Sequence, residues 1–337
     1  MTYKPNNMLV TGGMGFIGSH FIKHTSLNEL ATKIINLDKL TYASSQQNVS
    51  RLNSIPGYTF VKGDICDSEL VSSIFEKYSI DTVVHFAAES HVDNSIVSPD
   101  EFINSNIVGT YVLLDVARKK WCRNGLVDNN VRFHHVSTDE VYGSIGVDQQ
   151  PVNETAVYNP SSPYSSSKAS SDHLVFAYHK TYGLPITMSH CSNNYGSYQH
   201  LEKFIPVIVK ACVDNAPIPV YGDGSNVRDW INVTDHCEAI AAIIESGKVG
   251  EKYNVPGNLE ISNIELAKLI CKILDDIRPT KKPYASLLTF VNDRLGHDWR
   301  YSIDGTKIKN KCDWYPKTEF KFGIKETVKW YLSQQFN

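Results

Sequence analysis

Tyr164 and Lys168 stand four residues apart in the run SPYSSSKASSD, where Ser161–Pro163 reads as a helix start. On a helix that spacing sets both side chains on one face. A tyrosine is a poor base at neutral pH, but a neighbouring ammonium and a further positive charge favour its phenolate, so the pair can take a proton from an alcohol. Tyr58 and Lys62 share the spacing, yet they fall in an expected strand, where four residues span about 13 Å. Asp139 and Glu140, in Ser137-Thr138-Asp139-Glu140-Val141-Tyr142-Gly143, are adjacent carboxylates behind a hydroxyl. Two carboxylates whose surroundings push their pKa values apart can serve as acid and base in one site. Thr138 can hydrogen-bond a substrate oxygen.

These groups need a partner that accepts a hydride, and the N-terminal segment offers a place for one. Gly12-Gly13-Met14-Gly15-Phe16-Ile17-Gly18 follows an apolar run and opens an amphipathic stretch, Phe16–Ser26. Glycines permit the tight turn, backbone N–H groups approach a pyrophosphate, and the helix supplies its positive N-terminus. Asp38 comes 20 residues after Gly18, where a carboxylate accepts the adenosine-ribose hydroxyls. It would repel the 2′-phosphate of NADP, so NAD is the expected cofactor. Asp64, in Gly63-Asp64-Ile65, is placed to reach the adenine.

The elements that position these residues follow from periodicity. Apolar runs predict strands near Met8–Thr11, Ile34–Asp38, Tyr58–Lys62, Thr82–Phe86, Arg132–Ser137 and Ile186–His190, with helices starting near Phe16, Ser68, Pro99 and Tyr164. The alternation implies an α/β fold: a Rossmann-type doubly wound parallel sheet with ligands at the strands' C-terminal ends. After Cys191 turn-forming residues increase, and Ile264–Ile277 has helical periodicity. The expected division is a dinucleotide-binding domain over 1–190, to which some later segments return. A smaller C-terminal substrate-binding lobe occupies mainly 191–337.

Composition narrows the classes. The chain of 337 residues has 33 Lys+Arg against 36 Asp+Glu, a net charge of −3, which argues against general nucleic-acid binding. Seven scattered cysteines without a CxxC pair suggest neither a disulfide framework nor a zinc site, so no metal is expected. No apolar run approaches the roughly 20 residues of a membrane span, and no leader precedes Met8. A cytoplasmic enzyme free of membrane partners is the simplest reading. His91, His134, His135 and His190 read as packed or hydrogen-bonded rather than catalytic, and Trp230, Trp299, Trp314 and Trp330 as core.

Together the glycine turn, Asp38, the hydroxyl at a strand end and the Tyr–Lys pair resemble the extended short-chain dehydrogenase/reductase superfamily. Within it, Phe86-Ala87-Ala88-Glu89-Ser90-His91-Val92-Asp93, Thr138-Asp139-Glu140, Ser161–Asp172, Cys191–Gly196, Val227-Arg228-Asp229-Trp230 and Asp293-Arg294-Leu295-Gly296-His297-Asp298 look like the dTDP-glucose 4,6-dehydratases. This chain departs from their pattern at Leu295 (usually proline), Asn94 (commonly arginine) and Ser44-Ser45 (usually Gly-Asn).

The resemblance implies a lyase of deoxysugar biosynthesis. Tyr164 takes the C4-hydroxyl proton as NAD takes the C4 hydride. Glu140 removes the C5 proton, and Asp139, held protonated, delivers a proton to the departing C6 hydroxyl. The hydride then returns to C6. Catalytic residues are thus Thr138, Asp139, Glu140, Tyr164 and Lys168. Cofactor contacts are implied for Gly12, Gly15, Phe16, Ile17, Gly18, Asp38, Lys39, Leu40, Thr41, Asp64, Ile65, Phe86, Ala87, Ala88, Ser90, Tyr164, Lys168 and Asn194. Substrate contacts are implied for Ser90, His91, Thr138, Asn193, Lys203, Phe204, Pro219, Tyr221, Arg228, Asn263, Asp293, Arg294 and His297, with the arginines suited to bidentate diphosphate recognition. Members commonly pair as homodimers through two helices, here near Pro99–Lys119 and Tyr164–Tyr182. The rivals are UDP-glucose as substrate, since one methyl contact is worth only about 1–3 kcal/mol, a UDP-sugar 4-epimerase, against which Asp139–Glu140 speaks, and a non-catalytic NAD-sensing regulator, against which the intact Tyr–Lys pair speaks.

Overall fold

Short apolar runs of the first 191 residues become strands of one parallel sheet in the computed structural model, which describes residues 2–44, 46–123, 126–128 and 130–334; Ser45 lies outside the described residues. Strands β1 (Asn7–Thr11), β2 (Lys33–Asp38), β3 (Tyr58–Lys62), β4 (Thr82–His85), β5 (Arg132–Thr138) and β6 (Ile186–Cys191) are joined by β7 (Glu251–Val255). Their spatial order is β7-β6-β5-β4-β1-β2-β3, and every neighbouring pair runs parallel. The order steps outward from β1 in both directions. This leaves a crevice at the C-terminal ends of β1 and β4, where such sheets hold ligands.

Alternation along each strand assigns the two faces. Leu9, Ile35 and Val83 pack with Phe75 of α2 (Ser68–Tyr78), Leu113 of α3 (Gly109–Trp121) and Val175 of α4 (Pro163–Tyr182). Met8, Val10 and Ile34 pack on the opposite face with Phe21 of α1 (Phe16–Leu27) and with Val233, Ile240 and Ile244 of α5 (Val233–Ser246). A separate core gathers Tyr195, Trp230 and the apolar sides of helices Phe204–Asp214, Asn263–Ile277 and Phe320–Ser333. β7 and α5 fall late in the chain yet pack with the sheet.

Two local features depart from the periodicity. Between a single turn, Pro99–Phe102, and α3, residues Ile103–Val108 wind as a π-helix. There the Asn106 carbonyl accepts a 2.6 Å hydrogen bond from Thr110 Oγ1. Trp230 and Trp314 are core, as expected, whereas Trp299 is 41% exposed. Its backbone carbonyl binds Val227 N and its own N–H binds Ser144 Oγ, so the backbone is held while the ring stands on the rim. Trp330 is half-buried, packed on Tyr198 with ring centroids 4.6 Å apart. Among the described residues no helix is long and apolar enough to cross a membrane, and no group of three or more His, Cys, Asp or Glu could hold a metal ion.

Candidate active site

The glycine turn is shaped by close approach. Gly12 sits at φ +71°, and a Cβ there would lie 2.6 Å from Ala87 N; a Cβ at Gly18 would lie 2.4 Å from Gly12 O. Backbone therefore packs on backbone, and α1 opens towards the crevice with Gly15 as its N-cap. Asp38, at the end of β2, braces the turn: Oδ2 accepts from Met14 N at 2.9 Å and Oδ1 from Leu40 N at 2.8 Å. Lys39, which could otherwise serve a 2′-phosphate, turns to Ser105 Oγ at 3.1 Å and lies 3.8 Å from Asp64.

One continuous cavity runs from this turn across the ends of β1, β4 and β5. Its walls include Gly12, Gly15, Phe16, Ile17, Gly18, Asp38, Lys39, Thr41, Asp64, Ile65, Phe86, Ala87, Ala88 and Ser90 at one end. Thr138, Asp139, Glu140, Tyr164, Lys168, Asn193, Asn194, Lys203 and Phe204 line the other. Its shape fits an extended dinucleotide: glycine backbone where a pyrophosphate needs close approach, an open helix N-terminus and a carboxylate at the next strand end. Leu40 does not line it; at φ +59° its side chain is turned outward.

The reacting end is built by α4 and the end of β5. Ser162 caps α4 in a capping box with Ser165, and Pro163 takes the first helical position; these fix where Tyr164 begins. Tyr164 and Lys168 share the inner face, and Lys168 Nζ donates to Val136 O at 2.8 Å. Thr138 ends β5 and caps the following 3₁₀ turn, its Oγ1 accepting from Glu140 N at 3.3 Å. That tight turn sends Asp139 inward and leaves Glu140 half-buried at the cavity wall.

Their electrostatics differ. Burial pushes the Asp139 carboxyl well above the usual carboxylate range, and Glu140 and Asp229 reinforce this. Thr138 Oγ1 reaches its Oδ1 at 3.3 Å, while Oδ2 is buried with no hydrogen-bond partner among the described residues. Glu140 is also raised by burial, but Arg294, Arg228 and Lys203 pull it back. The phenolate expected at Tyr164 counts on the positive charge of a nicotinamide as well as that of Lys168. Burial, then the charge of Glu140, pushes its phenol well above 10, and only a hydrogen bond from Thr138 lowers it appreciably. Lys168 contacts a carbonyl, and burial itself lowers its pKa.

The remaining predicted substrate contacts form a rim. Tyr221 OH donates to Asp93 Oδ2 at 3.3 Å, Arg294 lies 3.7 Å from Asp93, and His297 Nδ1 lies 2.6 Å from Asp293 Oδ1. Lys203 Nζ donates to Ser90 O at 2.9 Å, and His91 caps the short helix Val92–Val97. Arg228 is buried, with its guanidinium on the carbonyls of Val227, Asp298 and Trp299 and over the Tyr301 ring; it holds a loop as well as facing the site. Of the predicted substrate contacts, Ser90, Thr138, Asn193, Lys203 and Phe204 line the cavity, whereas His91, Pro219, Tyr221, Arg228, Asn263, Asp293, Arg294 and His297 do not. The motifs did not single out Gln199, His200 and Glu202, which do line it. Their one signal is position, between Asn194 and Lys203.

Fold and cleft together define a short-chain dehydrogenase/reductase of the extended type, with a sugar-nucleotide dehydratase's acidic pair. A family model described as GDP-mannose 4,6 dehydratase matches residues 9–327. The chain is 49% identical over 331 residues to a dTDP-glucose 4,6-dehydratase of Haemophilus influenzae, covering 97% of this chain and 98% of the relative. A Salmonella typhimurium protein of the same name is 48% identical over 335 residues, covering 97% and 92%. A solved dTDP-glucose 4,6-dehydratase of Streptomyces venezuelae, a double mutant with NAD bound, superposes with a TM-score of 0.88 at 42% identity, covering 97% of both chains. The chain belongs to the dTDP-glucose 4,6-dehydratase family.

Proposed function

We propose that this protein converts dTDP-glucose to dTDP-4-keto-6-deoxyglucose and water as an NAD-dependent lyase. The observation that carries this reading is the adjacent pair at the end of β5: Asp139 inward with an unpartnered buried oxygen, Glu140 beside three cations. NAD, when bound, supplies the hydride acceptor at C4 and the donor that returns the hydride to C6.

The protein's own groups move the protons. Tyr164 takes the C4-hydroxyl proton with Thr138 on the same oxygen, and Lys168 beneath them supplies positive charge. The resulting ketone acidifies C5, whose proton goes to Glu140, and Glu140 gives a proton back to C5 as the hydride reaches C6; Arg228, Arg294 and Lys203 favour its carboxylate form. Asp139, neutral through burial, gives a proton to the C6 hydroxyl as water leaves. Neutral acid beside charged base is the division of labour that elimination needs. An epimerase needs no such division, and an NAD-sensing regulator needs neither the pair nor Tyr164.

The glycine turn, Asp38, Asp64 and the Phe86–Ser90 stretch are the NAD contacts in this reading, and Lys203, Arg294 and Tyr221 meet the diphosphate and base. Residues 1–190 with β7 and α5 form the cofactor unit, and the remainder the sugar-nucleotide lobe. Two copies pair through α3 and α4; Val108, Tyr111 and Tyr182 present exposed apolar surface there. Seven free thiols fit a reducing, cytoplasmic setting.

The test supplies dTDP-glucose and UDP-glucose separately and reads absorbance of the base-treated 4-keto-6-deoxy product. The expected result is a strong dTDP-glucose signal without added NAD. Signal from UDP-glucose alone would overturn the substrate, and silence from both in folded, NAD-loaded protein would overturn the activity.

A further inference from the structure

Directly below the reacting groups lies a charged residue that the chemistry above does not use. Asp172 follows Lys168 by four residues on α4, as Lys168 follows Tyr164, so all three share a helix face. Its side chain is fully buried. Oδ2 accepts from Ser137 Oγ at 3.0 Å, from Tyr158 OH at 3.0 Å and from His190 Nε2 at 2.8 Å, and Oδ1 lies 3.2 Å from His135 Nε2. Lys168 meanwhile holds the carbonyl of Val136. One helix thus grips two consecutive residues at the end of β5, and the next residue is Thr138.

We propose that Asp172 is a positioning residue that holds Lys168 as an ammonium and ties α4 to the end of β5, setting the gap between Tyr164 and Thr138. The inference rests on the role given above to Tyr164 and Lys168.

The charges support the geometry. Burial would raise Asp172, but the His135 ring 3.2 Å away and the hydrogen bond from His190 hold it well below the carboxylate range. The histidines do not neutralise it: burial lowers His135 to about 4 and lowers His190 as well. The cations facing Asp172 are therefore Lys168 on α4 and Lys252 on β7. Lys252 stands farther off, its Nζ 3.4 Å from Tyr158 OH. Tyr142, Tyr158, Glu154 and Cys191 complete the titratable surroundings of this layer. Lys168 loses water to burial and gains charge support from Asp172. Without that carboxylate its buried ammonium would face a neutral carbonyl at the cavity wall, and desolvation would favour the amine.

The test compares pH–kcat profiles of the holoenzyme and Asp172→Asn, which keeps an acceptor for Ser137 but removes the charge. The high-pH limb of the variant is expected to move down by about one unit or more, with roughly tenfold lower kcat above neutrality and little change in KM. Asp172→Glu should restore the limb, and Tyr158→Phe, which removes a hydrogen bond but no charge, should leave it in place. A folded Asp172→Asn with the wild-type limb overturns the proposal, even if it melts earlier. Should that variant not fold, 13C NMR of the lysine ε-carbons in wild type, assigned with Lys168→Arg, reads the same claim: an ammonium persisting above about pH 9 supports it. An amine near neutrality overturns it. Tyr164→Phe, measured alongside, separates the two layers. If it stays active, the Tyr164 reading fails; if it is dead while Asp172→Asn titrates as wild type, only the Asp172 inference fails.

Discussion

Asp139 and Asp172 are both buried aspartates within a few residues of the same strand end, yet they carry opposite charge states. Asp139 meets one weak donor, two nearby carboxylates and an unfilled lone-pair direction, so burial wins and its proton stays. Asp172 also has an oxygen without a hydrogen bond, Oδ1, 3.2 Å from His135 Nε2, but its Oδ2 accepts from Ser137, Tyr158 and His190, so hydrogen bonds win and its proton leaves. Donors, rather than depth, decide which buried carboxyl can act as an acid and which serves as a fixed charge. The first arrangement suits a group that must give a proton; the second suits one that must never move.

The largest effect expected from this contrast is on turnover. Asp139→Asn cannot donate a proton to a departing hydroxyl, so product formation should fall about 10²–10⁴-fold, measured as base-treated absorbance. Near-normal turnover would make Asp139 a bystander. Next comes stability at the other carboxylate. Asp172→Ala strands the donors of Ser137, Tyr158 and His190 and should lower unfolding free energy by about 3–5 kcal/mol in denaturant melts; a loss under about 1 kcal/mol would contradict the buried-anion description.

The layer around Asp172 also sets a pH dependence. Burial lowers His135 and His20 to about 4 and His236 to about 3, and lowers His85, His134 and His190. These rings are neutral in the fold but protonate near 6.5 when unfolded. Stability is therefore unaffected above pH 6.5 and drains as pH falls towards 4, by about 1.4 kcal/mol per pH unit for each ring that stays neutral. Asp172, depressed in the fold, adds a further loss as pH drops below about 3.9. Thermal melts from pH 7.5 to 4.5 should show a steadily falling Tm, and a flat profile would contradict the neutral assignment. The smallest effect has the opposite sign. Asp139 is neutral in the fold but charged when unfolded at pH 7, so Asp139→Asn should gain about 0.5–2 kcal/mol while losing activity.

Much of this is legible in the amino-acid sequence. The runs around Met8–Thr11 and Ile34–Asp38 became strands within a residue of their expected ends, because buried parallel strands are continuous and apolar. The Ser162–Pro163 start was equally plain, since its capping chemistry is local. β7 was not legible: Glu251-Lys252-Tyr253-Asn254-Val255 opens with two charges, and its partner β6 lies some sixty residues earlier, a pairing no local pattern encodes. The π-helical turn at Ile103–Val108 leaves no mark in periodicity either. The acidic pair could be read as adjacent carboxylates, and the resemblance implied that Asp139 keeps its proton; the local residues did not show why, because that depends on Arg228 and Arg294 arriving from distant segments. Asp172 carried one local signal, its four-residue step from Lys168. Its charge became visible only when β5 and β6 brought His135 and His190 to it.

The division of labour between the two members of the acidic pair is tested most directly by Glu140→Gln in deuterated water with dTDP-glucose. The variant should retain NAD and still oxidise C4, giving transient absorbance of the reduced cofactor, while solvent deuterium no longer enters at C5 and water no longer leaves. Normal C5 exchange with normal dehydration would contradict Glu140 as the base.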